Sequence, residues 1–283
     1  MILVAGGTGR LGTIVVSRLV AGGHDVRVLT RDPDRARHLP DDSLEIVRGD
    51  VRDRESIAPA MDGVTTVVSA VQGFAGPGRV TPESVDRSGN ANLVDAARTV
   101  GADVVMMSIV GASADSPMEL FRAKHAAEQH LRAGDTPWTI VRATAFVELW
   151  AEILGKAPVF GRGDNPINFV SVRDVAAVVE RAVDRTELRG RIVEVGGPDN
   201  VTFNALAALL HEVRGTQRKL HHVPRWVLRA LAPVARQPRA ALAMDMIDMT
   251  FDAASGRALI AEVPMTDLRT ALSEAVGRAP QDS

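Results

Sequence analysis

The sequence of 283 residues contains no cysteine and no tyrosine. Without cysteine, the chain has no disulfide, no thiolate nucleophile and no cysteine-ligated zinc site. Without tyrosine, a common catalytic proton donor is missing as well. Any chemistry of this chain therefore depends on other side chains or on a cofactor.

The sequence also lacks a charge excess and a long apolar run. Lys and Arg number 33 against 35 Asp and Glu, for a net charge of −2, so no nucleic-acid partner is predicted. No apolar stretch reaches about 18 residues, so we expect no membrane partner. No signal-peptide pattern precedes the first strand-like run, which favours a cytoplasmic protein. Monomer and dimer both remain open.

What the first half does contain is an alternation of strand-like and helix-like segments. Continuous β-branched strands that alternate with helices predict a parallel sheet covered on both faces. We therefore predict an α/β fold with a six-stranded, doubly wound (Rossmann) sheet. The predicted strands are 1–5, 25–30, 44–48, 64–70, 103–108 and 138–142, and the predicted helices are 10–22, 53–61, 84–100 and 118–133.

After about residue 145 the alternation loosens. We predict a domain boundary there, with residues 1–145 forming the Rossmann domain and residues 146–283 a smaller, partly helical lobe for the substrate that returns in part to the sheet. The elements expected in the lobe are strands at 167–170 and 191–195 and helices at 172–184, 203–214, 224–232 and 239–250.

Three glycines at a spacing of three, Gly6, Gly9 and Gly12, join the first strand to the first helix. The first permits a tight turn, the second lets the backbone approach a pyrophosphate, and the third lets the helix pack closely on the strand. The helix N-terminus then offers N–H groups to the anion. The predicted dinucleotide site is lined by Gly6, Thr8, Gly9, Arg10, Leu11 and Gly12.

This glycine loop, with its Arg10-Leu11-Gly12 ending, resembles the atypical, extended branch of the short-chain dehydrogenase/reductase superfamily, which includes NmrA-like and isoflavone-reductase-like proteins. Later segments around 168–176 and 193–198 resemble the same branch, so the resemblance covers roughly residues 1–210. It implies that Asp50 and Val51, after the third strand, contact the adenine. It also implies that Ala70 and Val71, after the fourth, lie beside the nicotinamide ribose.

Arg31 follows the second strand, where an acidic residue would hold the ribose 2′-hydroxyl of NAD(H). An arginine there suits the 2′-phosphate of NADP(H), and Arg10 is a second cation nearby. The next residue, Asp32, is acidic. NAD(H) is therefore kept as the alternative, less favoured cofactor.

Most members of the superfamily use a Tyr-x-x-x-Lys pair, but here Leu120 stands four residues before Lys124. The isoflavone-reductase-like resemblance implies that Lys124 handles the proton; the alternative is that Lys124 only binds the ribose hydroxyls. Ser108, at the end of the fifth strand, matches the position of the catalytic serine of the family. Both are candidate catalytic residues.

Three aromatic residues, Phe74, Phe146 and Trp150, follow the fourth and sixth strands. They are predicted to sandwich a flat substrate, with simple core packing as the alternative. The histidines lack the spacing of metal ligands, so no metal site is predicted. Four arginines between 225 and 239 are interpreted as a solvated face.

Two functions fit these residues. The first is an NADP(H)-dependent oxidoreductase that passes hydride to a small quinone-like or conjugated carbonyl acceptor without a catalytic tyrosine. The second is a non-catalytic, NADP(H)-binding redox sensor of the NmrA-like type.

Overall fold

The computed structural model describes residues 1–39, 44–74, 80–216, 219–253 and 259–277. The chain divides into two compact units. The first unit comprises Met1–Arg142 and Val175–Glu194, and the second comprises Ala143–Asp174 and Val195–Ser283.

A seven-stranded sheet forms the centre of the first unit. Its strands are β1 (Ile2–Ala5), β2 (Val26–Thr30), β3 (Glu45–Arg48), β4 (Thr66–Ser69), β5 (Asp103–Ile109), β6 (Trp138–Ala143) and β10 (Arg191–Val195). They lie in the order β10-β6-β5-β4-β1-β2-β3, and the pairs β1–β2, β1–β4, β2–β3 and β4–β5 are parallel. The chain passes outward from β1 in both directions, so the predicted doubly wound α/β fold is confirmed.

Helices follow the strands, as the apolar periodicity predicts. In the first unit they are α1 (Arg10–Ala21), α2 (Arg54–Ile57), α3 (Ser88–Val100) and α4 (Glu119–Arg132), and α6 (Val172–Asp184) lies mostly in this unit. A π-helical turn, Pro82–Arg87, leads into α3, so the predicted helix 84–100 changes its pitch part-way. Leu3, Val67, Leu93, Leu131 and Ile140 belong to one core between the sheet and α3 and α4.

The second unit contains short strands and several helices. Its strands are β7 (Ala145–Phe146), β8 (Val159–Phe160), β9 (Pro166–Val170), β11 (Asn200–Thr202) and β12 (His222–Val223), which form a sheet in the order β11-β9-β7 and a pair β12-β8. Its helices are α5 (Val147–Lys156), α7 (Phe203–Val213), α8 (Arg225–Leu231), α9 (Arg236–Met244) and α10 (Leu268–Gly277).

Two sequence-based predictions are wrong in detail. The predicted sheet has six strands, whereas the structure has seven, because the strand at 191–195 is the edge strand β10 beside β6. The segment after residue 145 was expected to return in part to the sheet, but the strand that does so was not identified. Local pattern identifies a strand but cannot show which neighbour it pairs with. The helix predicted at 239–250 is α9, which starts at Arg236 and ends at Met244. In the part of the chain that the structure describes, no helix is long and apolar enough to cross a bilayer.

Candidate functional site

The turn between β1 and α1 has no space for side chains at two of its glycines. Gly6 has φ +84°, a conformation that L-residues rarely adopt, and a Cβ atom there would lie 2.8 Å from the carbonyl oxygen of Ala70. A Cβ atom at Gly12 would overlap the carbonyl oxygen of Gly6. The first and third glycines therefore bring α1 close to β1 and β4.

The second glycine, Gly9, is the N-cap of α1 and has no side chain to satisfy the first amides of the helix. The first helical hydrogen bond runs from Thr13 N–H to Gly9 O at 2.9 Å, so the N–H groups of Leu11 and Gly12 have no partner within the helix. The first turn contains no acidic residue. A cradle of this kind fits a pyrophosphate, because the positive end of the helix dipole faces the anion.

Two arginines follow β2 near this turn. Arg31 is exposed; the pKa of Asp50 is lowered chiefly by the hydrogen bond from Arg52, and the positive charge of Arg31 adds to that effect. Arg35, which was not predicted from the sequence, donates from Nη2 to the carbonyl oxygen of Thr8 at 3.4 Å. Asp32, the residue that kept NAD(H) open, accepts the Asp34 N–H at 3.2 Å and so caps the short 3-10 helix Pro33–His38.

The two residues expected at the adenine lie in different surroundings. The Asp50 carboxylate accepts from the Arg52 guanidinium at 2.6–3.1 Å, and this hydrogen bond lowers the pKa of Asp50. Val51 is buried in the core, and its carbonyl oxygen accepts from Asn92 Nδ2 at 2.9 Å. Asp50 therefore stays partly exposed as an acceptor, while the Val51 side chain packs inward.

Lys124 reaches from α4 to the carboxyl ends of β4 and β5. Its Nζ donates to the carbonyl oxygens of Val71 and Met107, both at 3.0 Å, and lies 3.1 Å from Asp86 Oδ1. Two of the three N–H donors of the ammonium therefore make hydrogen bonds, and the contact with Asp86 is an ion pair, since Asp86 Oδ1 accepts no hydrogen bond. Lys124 is buried at 6% exposure.

Asp86 connects Lys124 to a second layer of buried polar groups. Its Oδ2 accepts the Gly73 N–H at 2.8 Å, and its carbonyl oxygen accepts from Asn90 Nδ2 at 2.7 Å. Asn90 Oδ1 in turn accepts from Ser69 Oγ at 2.6 Å. Burial raises the pKa of Asp86, and the Lys124 ammonium opposes that shift. Asp86 was not predicted from the sequence, because its neighbours Glu83, Ser84 and Arg87 are polar too and do not single it out.

Ser108 belongs to a separate cluster. Its Oγ donates to Glu128 Oε1 at 2.5 Å, and Arg142 holds the same carboxylate with two hydrogen bonds of 2.9 and 2.6 Å. Arg142 Nη1 also lies 3.3 Å from Glu194 Oε1. Glu128, another residue that was not predicted, is fully buried, and its hydrogen bond raises the pKa of the Arg142 guanidinium.

Comparison with known proteins then assigns the family. Residues 6–186 match the model of a family described as NAD(P)H-binding, which is more than half of the chain. This chain belongs to that NAD(P)H-binding family. Its structural neighbours include members of the atypical short-chain dehydrogenase/reductase and NmrA-like group, which the glycine loop resembles. The group is one of NAD(P)H-dependent, reductase-like proteins.

Three similar proteins illustrate the range of the family. A (4-alkanoyl-5-oxo-2,5-dihydrofuran-3-yl)methyl phosphate reductase of Streptomyces griseus is 32% identical over 76% of this chain and 74% of its own length. Photosystem II assembly factor Ycf39 of Synechocystis is 28% identical over 93% of this chain and 82% of its own. The NADPH-dependent quinone oxidoreductase QOR2 of Escherichia coli, solved with NADPH, has the same fold, with a TM-score of 0.80, 21% identity and coverage of 98% of this chain and 100% of that one.

The aromatic residues expected at the substrate of this NAD(P)H-binding protein are placed in both units. Phe74 is half-buried in the first unit. In the second unit, Phe146 lies in β7 opposite Val170, and the Trp150 ring packs on Phe203, with 4.5 Å between the ring centroids. Among the residues that the structure describes, no group of three or more His, Asp or Glu side chains could hold a metal ion.

Proposed function

We propose that this chain binds NADPH in preference to NADH and reduces a small quinone-like or conjugated carbonyl acceptor. The observation that carries the proposal is the glycine turn, which has no space for side chains at Gly6 and Gly12 and ends at Gly9, the N-cap of α1, which makes no side-chain capping hydrogen bond. NADPH, when bound, supplies the hydride. The protein binds the pyrophosphate on backbone amides and shields the reacting groups.

The preference for NADPH rests on the cations that follow β2. A 2′-phosphate is recognised by charge-assisted hydrogen bonds from guanidinium groups. Arg31 is exposed, and Arg35 already contacts the phosphate turn through Thr8. The Asp32 carboxylate caps the following turn. In this proposal it does not bind the ribose.

The proton of the reduction comes from water in this proposal. The chain has no tyrosine, and Lys124 donates to the carbonyl oxygens of Val71 and Met107 and pairs with the Asp86 carboxylate. The Ser108 hydroxyl is directed at Glu128. Lys124 and Ser108 therefore act as positioning residues at the ends of β4 and β5. Quinone-like and conjugated acceptors suit such a site, because their reduction needs little proton transfer from the protein.

A second candidate is a redox sensor that binds the dinucleotide without turnover. The same engagement of Lys124 and Ser108 favours it, since neither residue is left as a proton donor. The similarity to Ycf39, a protein named as an assembly factor and not as an enzyme, supports it as well.

The Gly9→Ala variant tests the cofactor site. Gly9 has φ −86°, which alanine adopts, and its Cβ would meet only the Gly6 carbonyl oxygen at 3.2 Å. We expect the variant to fold and to bind NADPH at least ~10-fold more weakly in a fluorescence titration, because the methyl group stands where the pyrophosphate approaches. Gly22→Ala, at the other end of α1, is the matched control.

Equal affinity in Gly9→Ala and Gly22→Ala would refute the cofactor site.

Absorbance of the reduced nicotinamide separates the two functions in the unmodified protein. Oxidation of NADPH by a quinone supports the reductase, whereas tight binding with no turnover across a quinone panel supports the sensor.

The preference for NADPH is tested at the two arginines. Arg31→Ala and Arg35→Ala should each weaken the binding of NADPH by about 10-fold and leave the binding of NADH unchanged. An equal loss of affinity for both cofactors would contradict the preference.

A further inference from the structure

One stretch of the second unit is strongly basic although the whole chain is not. Residues 213–244 contain seven Lys or Arg residues and no Asp or Glu, in a chain with a net charge of −2. Such a stretch presents positive charge to any anionic partner. Within it, α8 and α9 form a helical hairpin, residues 225–244, which we call the basic hairpin.

The same stretch exposes most of the large apolar side chains found at the surface. Of six exposed large hydrophobic residues in the described parts of the chain, three lie on the basic hairpin and a fourth follows it closely. Trp226 is 71% exposed, Leu231 46%, Val234 83% and Met246 63%. Single exposed apolar residues are ordinary, but their concentration in one place marks an interaction surface.

Internal contacts fix the hairpin without removing its charge. Arg239 donates from Nε and Nη2 to the carbonyl oxygen of Ala232 at 3.1 and 3.0 Å, which closes the turn that contains Val234. Because a carbonyl oxygen carries no full charge, Arg239 remains a net cation. Arg225 pairs with Asp245 at 2.5 Å, so the base of the hairpin is neutralised. Arg229 is exposed on α8.

We propose that the basic hairpin docks on an anionic lipid surface. Arginines meet lipid phosphates, while Trp226 and Val234 enter the boundary between headgroups and acyl chains. Tryptophan is the side chain most typical of that boundary. This departs from the expectation of no membrane partner and of a merely solvated arginine face. That expectation rested on the lack of a long apolar run, which peripheral binding does not require.

Vesicle sedimentation of the full chain tests the proposal. We expect binding to vesicles that contain phosphatidylglycerol, little binding to phosphatidylcholine alone, and release by added salt. Arg229→Glu should lower the partition coefficient by about 30-fold, from two units of charge near the surface. Trp226→Ser should also weaken binding and should abolish a lipid-induced blue shift of the tryptophan emission.

Two controls keep the result specific. Val100→Ser changes another exposed apolar residue, and Arg191→Glu reverses another exposed arginine; both should bind vesicles as the unmodified protein does. NADPH titration of every variant reports folding. No binding to phosphatidylglycerol vesicles at low salt, or equal binding by Trp226→Ser, would overturn the proposal. A dimer that Trp226→Ser converts to a monomer, with no lipid binding, would assign the surface to a second copy of the chain instead.

Discussion

Helix α4 carries two buried charges of opposite sign one turn apart, and they are satisfied in different ways. Lys124 meets a carboxylate and two carbonyl oxygens, so its environment contains one opposite charge. Glu128 meets the Arg142 guanidinium in a two-bond arrangement and also accepts from Ser108. Bidentate pairing is the stronger and more directional of the two.

Asp86, the partner of Lys124, and Arg142, the partner of Glu128, respond differently when the opposite charge is removed. Asp86 can take up a proton and become neutral, and burial already raises its pKa. Arg142 cannot lose its proton at any pH at which the protein folds. When Lys124 is removed, Asp86 can therefore become neutral by binding a proton. When Glu128 is removed, Arg142 stays charged.

The largest expected effect comes from Glu128→Gln, which keeps the shape of the side chain and removes its charge. Arg142 then loses its buried counterion and keeps Glu194, at 3.3 Å, as its charged partner; breaking a buried pair costs about 4 kcal/mol. Urea denaturation should show that loss, with similar values at about pH 5 and about pH 8. A loss that vanished at the lower pH would show that Arg142 is not the residue left unpaired. Glu194→Gln is the matched control and should cost far less, since Glu194 is partly exposed.

Lys124→Met should cost about 3 kcal/mol at neutral pH, because Asp86 is then a buried charge without a counterion. The pKa of Asp86 is already raised in the folded protein, and it rises further in the variant. A carboxyl whose folded pKa lies above its unfolded pKa favours folding at low pH and loses that contribution as the pH rises through the folded pKa. The penalty of Lys124→Met, measured by urea denaturation across the pH range, should therefore shrink on acidification.

The same variant distinguishes positioning from proton transfer at Lys124. If the residue only holds the ends of β4 and β5, the pH profile of NADPH oxidation should keep its shape in Lys124→Met, and Lys124→Arg should restore part of the rate. If Lys124 handles the proton, one limb of the profile should disappear. Disappearance of that limb would contradict the positioning role proposed above.

The contrast between the two clusters also shows what the sequence could reveal. The helix over 118–133 was predicted from its apolar period, and α4 occupies Glu119–Arg132. The glycine spacing predicted the tight turn between β1 and α1, because the constraint on close backbone packing is local in the chain. The ion pairs were not predicted, since Asp86 lies 38 residues before Lys124 and no local pattern selects it. The buried helical face that holds Lys124 and Glu128 was the one available signal.

Long-range pairing explains the remaining differences in the same way. Strand β10 is recognisable as a strand, but its neighbour β6 lies about fifty residues earlier, and pairing at that distance is fixed by the whole fold. Arg35 was missed because the turn Pro33–His38 brings it back to Thr8. The expected roles of Asp50, Val51, Ala70 and the aromatic residues at a bound ligand stay predictions.

The smallest expected effect comes from the double variant Asp86→Asn, Lys124→Met, which removes both charges at once. Replacing a buried ion pair by neutral groups of similar volume is often nearly neutral. The asparagine side chain carries no charge and its amide oxygen still accepts from the Gly73 N–H, while the carbonyl oxygens of Val71 and Met107 lose a donor. We expect a net cost of about 1 kcal/mol, which is less than that of Lys124→Met alone, and therefore a coupling energy of more than about 2 kcal/mol in the double-mutant cycle, measured by urea denaturation. Costs that simply add would show that Lys124 and Asp86 act independently, and the comparison with the Glu128 cluster would then lose its basis.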